Sequence, residues 1–217
     1  MGKIRKTYAL GLLTILLLSL AGCGGGGGDA VPVYTARIYS DQPTDGDISY
    51  DSVDGVYTIS NGPASLFFGI DDLNPHFPEY RAFLDFPLDG STGSPGIPAS
   101  VGIVSASLEV FVNEVSFAPR IPTLIDLVSY PLTGLEVADF TSQPLRTLTV
   151  NFYPEDQGAF VSLDITPLMQ EAQRLGLSDL QLRLLLDLSA DSGFVGLDDR
   201  PTVSLTAPQL IVNYIYP

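Results

Sequence analysis

Apolar and polar side chains alternate with a period of two residues along much of this chain, and few folds accept such a pattern. Apolar residues occupy every second position from Ala106 to Val112, and leucine occupies every second position from Leu180 to Leu188. A period of two places successive side chains on opposite faces of a β-strand, whereas a helix needs a period near 3.6. The pattern therefore predicts half-buried strands of the kind found in antiparallel sheets.

Proline and glycine clusters separate the alternating segments, because they interrupt ladder pairing and favour turns. One segment has a helical period instead: Thr166 is placed to cap it, Pro167 suits its first turn, and Gly176 is placed to end it. About ten strands are predicted, at residues 34–40, 56–60, 65–70, 81–86, 106–112, 124–130, 145–152, 159–165, 180–188 and 209–216.

Strands without the spacing of β-α-β units close best as two packed antiparallel sheets. We therefore predict an all-β fold, an antiparallel and jelly-roll-like β-sandwich with one short helix near residues 167–175. The chain after residue 30 is long enough to bury one sizeable core. Because no charge run or low-complexity linker divides it, residues 31–217 are predicted to form a single domain.

The first 22 residues have the pattern of a secretion signal. Lys3, Arg5 and Lys6 precede an apolar run of about 13 residues, which is shorter than the roughly 20 residues that a spanning helix needs. Residues 20–22, Leu-Ala-Gly, lead into Cys23 and resemble the lipobox of bacterial lipoproteins. The resemblance implies that Cys23 carries lipid chains such as palmitate and anchors the protein to a membrane.

Residues 23–30 comprise this cysteine and a glycine-rich tether. In lipoproteins an aspartate directly after the cysteine tends to retain the protein at the inner membrane, and here that position is Gly24. By this resemblance we expect a lipid-anchored cell-envelope protein at the outer membrane. Cys23 is the only cysteine, so an internal disulfide is excluded.

Charge limits the partners of the chain. The formal net charge is −15, and beyond the predicted signal the cations are seven arginines, with no lysine. Such a surface repels polyanions, which argues against nucleic acid and against anionic lipid headgroups as partners. Sulfated or uronic-acid glycans would need a local arginine cluster or a bridging cation.

Four segments resemble DNRLRE-type β-sandwich domains and occur in the order of that family. They are residues 81–88 (RAFLDFPL), 104–111 (VSASLEVF), 164–169 (DITPLM) and 207–214 (APQLIVNY). The resemblance implies a jelly-roll module of secreted or surface proteins, some members of which bind carbohydrate. Arg81 and Asp164 occupy matched positions, and we interpret both as structural: Arg81 satisfied by a loop carboxylate or carbonyl, Asp164 steadying the turn that follows.

Catalytic patterns are weak. The sole histidine, His76, lies in a proline-bounded loop, and no Gly-x-Ser-x-Gly elbow occurs in the sequence. Paired carboxylates such as Asp71-Asp72 and Asp198-Asp199 could serve a glycosidase only across a cleft. In a chain this acidic we interpret them as solvated loop charges, so an enzyme is not expected.

Calcium is a more plausible use for some of the carboxylates. Asp41, Asp45, Asp47 and Asp51 occur in one turn-rich stretch with Gly46. Oxygen ligands on such loops suit Ca²⁺, although the spacing is not that of an EF-hand. Asp41, Asp45 and Asp47 are the candidate ligands of a structural calcium ion, and surface solubility is the alternative explanation.

Two functions are open at this point, with a glycan-active hydrolase a third and less favoured one. The first is a module that binds an extracellular or envelope ligand such as polysaccharide, and the second is a lipoprotein that docks onto an envelope protein assembly. Tyrosines expected to be exposed favour the first, although they could also pack with their hydroxyls at the rim. These tyrosines are Tyr50, Tyr57, Tyr80, Tyr130 and Tyr153.

Overall fold

A computed structural model describes residues 31–94, 96–187, 189–190, 192–200 and 205–217. Within these limits Val33–Pro217 form one compact unit. The predicted signal peptide, Cys23 and the tether lie outside the described residues. Among the helices of the described part, none has both the length and the apolar character needed to cross a bilayer.

The described chain is built almost entirely of antiparallel strands, which confirms the predicted all-β, sandwich-like fold. All ten predicted strands are present within a few residues of their expected bounds. The strands are β1 (Tyr34–Tyr39), β2 (Gly46–Asp51), β3 (Val56–Asn61), β4 (Ser65–Ile70), β5 (Glu79–Pro87), β6 (Gly102–Ser116), β7 (Ile121–Val128), β8 (Arg146–Phe152), β9 (Phe160–Asp164), β10 (Asp179–Leu186), β11 (Gly193–Asp198) and β12 (Gln209–Ile215).

The strands form two layers that share β6. A four-stranded sheet has the order β1-β12-β6-β9, and a larger sheet continues from β6 through β11, β4, β5, β10 and β7 to β8. Strand β6 is long enough for both, because its first half pairs with β12 and β9 and its last residues pair with β11. The alternating apolar residues of β6 and β10 face the main core between the layers, as the period of two predicts.

A second, smaller core lies on the other face of the larger sheet. Ile48, Phe83 and Val128 form it together with Tyr130, Leu135 and Phe140. The last three side chains belong to the segment after β7, which includes a 3-10 turn at Val137–Thr141. This covering explains why both faces of β10 are buried although its sequence alternates.

The helix, α1, spans Thr166–Leu175 and confirms the predicted position. Gly176 follows it in the left-handed conformation (φ 68°), as expected for a residue that ends a helix. The predicted cap is wrong: Ile165 is the N-cap residue, and the Thr166 hydroxyl accepts a hydrogen bond from the backbone of Ala106 at 2.9 Å. The threonine therefore joins the helix to β6.

Strands β2 and β11 were not predicted. Strand β2 includes Asp47 and Asp51, so the supposed turn-rich stretch is a turn over residues 42–44 followed by a strand that pairs with β3 and β5. Strand β11 is buried along its whole length between β4 and β6, and therefore has no alternation to detect. Both strands contain aspartate and glycine, which are depleted in strands, so their sequences did not predict strands.

Candidate functional site

The structure confirms the structural interpretation of the two matched residues. The Arg81 guanidinium pairs with the Glu79 carboxylate at 2.7 Å, donates to the carbonyl of Phe140 and lies 3.9 Å from the centre of the Phe140 ring. Asp164 accepts hydrogen bonds from the backbone nitrogen and the hydroxyl of Thr166, at 3.0 and 2.6 Å. Both side chains thus make hydrogen bonds within the fold.

Three aspartates from distant parts of the sequence converge in the interior. Asp45 follows the turn after β1, Asp85 belongs to β5, and Asp199 follows β11; they are 0%, 1% and 0% exposed. The carboxylate of Asp45 accepts a hydrogen bond from the backbone nitrogen of Asp85 at 2.6 Å. The hydroxyl of Ser40 lies 3.4 Å from a carboxylate oxygen of Asp199. We call Asp45, Asp85 and Asp199 the buried carboxyl cluster.

Burial perturbs the ionisation of all three groups. It raises the pKa of Asp85 and of Asp199 to about 7. Burial, and then the neighbouring Asp199, raise the pKa of Asp45 well above its ordinary value. Removing a carboxylate from water disfavours its charged form, and a nearby acid adds to the effect. The cluster therefore binds protons at a pH where exposed aspartates are ionised.

The predicted calcium ligands do not form one group. Asp45 belongs to the buried cluster, the Asp47 carboxylate lies 3.3 Å from the backbone nitrogen of Phe67, and Asp41 lies at the start of the turn before β2. In the described chain, the residues whose potential metal-ligand atoms all lie within 4.8 Å of one another are Asp51, Asp54 and His76. A calcium ion held by Asp41, Asp45 and Asp47 stays a prediction.

His76 joins two loops. Its Nδ1 lies 2.7 Å from the Asp51 carboxylate and 3.6 Å from that of Asp54. Hydrogen bonding to Asp51 raises the pKa of His76, and the same bond lowers the pKa of Asp51. The contact joins the loop before β5 to the turn between β2 and β3 at a partly exposed surface.

The outward face of the four-stranded sheet presents a row of side chains across all four strands. Tyr39 of β1 is opposite Gln209 of β12, Gln209 is opposite Glu109 of β6, and Glu109 is opposite Ser162 of β9. Paired residues share a face, so the row brings an aromatic ring and three polar groups together. The alternation of β6 places Glu109 on the face opposite the core, whereas its neighbours follow only from the strand pairing.

A cleft of about 190 Å³ opens over this row. Tyr39, Glu109 and Gln209 line it together with Phe160, Leu205 and Ala207. Phe160 is 55% exposed and its ring contacts that of Phe111 edge to face, with 5.2 Å between centroids. Arg37 donates a hydrogen bond to the side chain of Gln209 at 3.1 Å. The cleft thus combines the exposed ring of Phe160 and the half-buried ring of Tyr39 with hydrogen-bonding groups that neighbouring strands hold in place.

A larger cavity, of about 230 Å³, lies between α1 and residues 88–99. Leu88, Ile97, Met169 and Leu177 make most of its wall apolar. Its polar lining residues are engaged within the protein: Gln173 donates to the carbonyl of Val101 at 2.7 Å, Asp89 accepts from the backbone nitrogen of Ser91 at 2.8 Å, and the Ser178 hydroxyl donates to Asp179. Because binding sites need placed polar groups as well as volume, we regard the smaller cleft as the better candidate despite its size.

The tyrosines expected at the surface have mixed positions. Tyr153 is 42% exposed, Tyr50, Tyr57 and Tyr80 are half-buried, and Tyr130 is buried in the second core, where the expectation was wrong. Tyr50 and Tyr57 stack on each other across β2 and β3 with 4.5 Å between centroids. Tyr130 is buried because it belongs to the segment after β7 that covers the larger sheet, and the sequence did not predict this layer.

No protein-family model matches the sequence, and comparison with curated proteins finds no relative. The resemblance to DNRLRE-type domains therefore stays a prediction that rests on the four segments alone.

Proposed function

We propose that this chain is a non-catalytic, lipid-anchored protein of the bacterial cell envelope whose four-stranded sheet face binds polysaccharide. The observation that carries the proposal is the cleft over β1, β12, β6 and β9, where Tyr39 and Phe160 flank Glu109 and Gln209. Aromatic rings offer flat apolar surfaces to the carbon–hydrogen faces of sugar rings. Carboxylate and amide side chains accept and donate the hydrogen bonds that sugar hydroxyls require.

The charge of the chain favours a neutral or amino-substituted glycan as the ligand. The net charge of −15 and the Glu109 carboxylate oppose anionic sugars. Arg37, the cation beside the cleft, is already hydrogen-bonded to Gln209. Uncharged β-linked polymers such as chitin and cellulose are therefore the first ligands to try.

Two features support a binding role over hydrolysis. A glycosidase needs two carboxyl groups across the scissile bond, about 5 to 10 Å apart. Among the described residues that line the cleft, Glu109 is the one carboxylate. The buried carboxyl cluster is almost fully enclosed and offers no surface to a polymer.

Binding to insoluble polysaccharides tests the proposal. We expect the full chain to be retained on at least one neutral glycan, and Phe160→Ala to weaken binding about tenfold, equivalent to about 1.4 kcal/mol, through loss of an exposed ring. Tyr153→Ala is the matched control, because it removes a comparably exposed aromatic residue outside the cleft. Equal affinity of Phe160→Ala and the wild-type protein, or no retention on any glycan, would count against the proposal.

The second candidate is docking onto an envelope protein. Strand β8 ends the larger sheet and, among the described strands, pairs with β7 alone. Arg146, Thr147 and Thr149 on this strand are exposed. A strand at the edge of a sheet can accept an added strand from a partner. Co-purification of one fixed protein, lost when Thr149 is replaced by proline and retained in Phe160→Ala, would favour docking over glycan binding.

A further inference from the structure

Three tyrosines meet at one end of the four-stranded sheet. Tyr34 at the start of β1 is opposite Tyr214 of β12, and their rings stack with 5.8 Å between centroids. The Tyr216 ring contacts both edge to face, at 5.1 Å from the Tyr34 ring and 5.9 Å from the Tyr214 ring. Tyr214 is buried, whereas Tyr34 and Tyr216 are 44% and 48% exposed. The rings therefore form one packed group with an exposed rim.

Exposed valines adjoin these rings. Val33 directly precedes Tyr34 and is 57% exposed. The register of β6 with β12 shifts at Tyr214, so Val104 has no paired residue and lies in a bulge. By alternation Val104 would face the core as Ala106 does, but the bulge turns it outward, and it is 50% exposed. We call this group the tyrosine end; it comprises Val33, Tyr34, Val104, Tyr214 and Tyr216.

The tyrosine end is uncharged in a molecule with a net charge of −15. On the outward face of the sheet the Thr35 hydroxyl donates to the side chain of Asn213 at 2.7 Å, and the Asn213 amide donates to the Ser105 hydroxyl at 2.9 Å. The three segments that form this end contain no aspartate, glutamate, lysine, arginine or histidine; they are residues 33–36, 99–108 and 209–217.

The neighbouring helix carries one acid and one base, which neutralise each other. Gln170 of α1 donates to the carbonyl of Ile103 at 3.3 Å, and this contact places the helix beside the start of β6. Glu171 and Arg174 of the same helix pair at 2.6 Å. The first acid in the pairing register of β6 is Asp164 of β9, which lies beyond the tyrosine end.

The proposed anchor limits how far this end can lie from a membrane. Val33 is the first residue of the compact unit and follows Cys23 by ten residues. Ten residues span at most about 35 Å when fully extended. A flexible glycine-rich chain of that length has a root-mean-square span of only about 17 Å. Because β1 begins at Tyr34, the tyrosine end is the part of the domain that the chain joins directly to the anchor.

We propose that the tyrosine end contacts the headgroup layer of a zwitterionic phospholipid bilayer and thereby orients the domain on the membrane. The inference rests on the lipid anchor of the proposed function. Tyrosine combines an apolar ring with a polar hydroxyl and is enriched where hydrocarbon meets water. Charged side chains are costly to remove from water, and the tyrosine end has none. Net negative charge elsewhere opposes approach to an anionic surface by any other side.

This orientation would hold the proposed cleft away from the membrane. Strand β1 is six residues long and extends about 17 Å from Tyr34 to Tyr39. Tyr39 lines the cleft, and so does Gln209, at the end of β12 opposite to Tyr214. With the tyrosine end on the bilayer, the cleft lies at the far end of the same strands, where it can reach a glycan outside the headgroup layer.

A single tryptophan tests the contact, because the chain contains no tryptophan of its own. The full, lipidated Tyr216→Trp chain is reconstituted into phosphatidylcholine vesicles with and without bromine on the acyl chains. We expect its emission to shift to shorter wavelength in vesicles and to lose most of its intensity with brominated lipid. Tyr153→Trp is the matched control, because Tyr153 is 42% exposed and the segment after it pairs with Val112 in the second half of β6. Its emission should not change.

A charge placed at the contact should weaken it. Val104→Glu combined with Tyr216→Trp should lose most of the quenching, since a carboxylate resists removal from water. Val56→Glu in the same background is the control: Val56 of β3 is 52% exposed and lies outside the tyrosine end. Equal quenching in the two double variants would contradict the proposal.

Flotation of the same vesicles separates this inference from the proposed function. A chain that does not float has no anchor, which refutes both. A chain that floats while Tyr216→Trp is quenched no more than Tyr153→Trp keeps the anchor and overturns the contact. If Tyr216→Trp fails to fold, Val33→Trp takes its place, because Val33 precedes β1 and is exposed, and the same quenching is expected.

Discussion

Single buried polar residues are satisfied in this protein to very different degrees. Arg183 of β10 pairs with Asp126 of β7 at 2.6 Å, and both side chains are 4% exposed. The same guanidinium donates to the carbonyls of Asp139 and Phe140, at 2.9 and 3.1 Å. One cation thus neutralises an acid and fastens the covering segment to the larger sheet. By contrast, one buried carboxylate oxygen each of Asp45 and Asp199 has no hydrogen-bond partner among the described residues.

Replacing Arg183 by methionine should destabilise the fold strongly. Methionine fills much of the space but leaves the Asp126 carboxylate buried and unpaired, at a cost of about 3–5 kcal/mol. Urea unfolding measures the loss. Arg174→Met is the control, because Arg174 is 66% exposed and pairs with Glu171 on the surface of α1. Similar losses in the two variants would show that the buried pair has no special role.

Close contact between β4 and β11 depends on glycine. A Cβ atom at Gly69 would lie 2.1 Å from the carbonyl oxygen of Gly193, and Gly69 has a φ of 106°. The two residues adjoin in the register of the paired strands. Glycine at position 69 therefore allows the buried strand β11 to lie close to β4. This explains how β11, which contains two glycines, is paired with β4 along its whole length.

Gly69→Ala should cost about 3 kcal/mol or more, because a backbone clash adds to the strain of a positive φ. Gly55→Ala is the matched control: Gly55 also has a positive φ, of 68°, but nothing lies within 4 Å of a Cβ at that position. We expect the control to lose about 1–2 kcal/mol in the same denaturant titration. A control as unstable as Gly69→Ala would mean that strain alone, and not the close approach, sets the cost.

For the molecule as a whole, charge and anchoring have to be considered together. A chain with a net charge of −15 is repelled by anionic membrane surfaces, so attraction to headgroups cannot hold it there. The proposed lipid at Cys23 provides the attachment that the surface charge opposes. Stable anchoring by acyl chains needs more than one chain, as lipoprotein modification supplies.

Radiolabelled palmitate added to bacteria that express the full chain should enter the wild-type protein but not Cys23→Ser. The serine variant should also leave the membrane fraction, because its only acylation site is lost. Gly26→Ser, three residues further on, is the control and should keep both the label and the membrane location. Label on Cys23→Ser, or none on the wild-type protein, would contradict lipid anchoring.

Alternation, apolar runs and the turn residues between them predicted ten of the twelve strands in the described part of the chain, and the proline-and-glycine pattern around residues 166–176 predicted the helix. These features are local, since alternation and turn residues act over a few positions. Strand β2 escaped detection because its aspartates are typical of loops. Strand β11 escaped because burial on both faces removes the alternation.

Both candidate sites depend on contacts over long sequence separations. Glu109 meets Gln209 through strand pairing, and Asp45 meets Asp85 and Asp199 through packing of the turn before β2. The sequence by itself determined most of the strand content, the position of the helix and the sidedness of β6. Tertiary structure alone decided which acids are buried together, because register and layer order bring distant residues into contact and exclude water from them.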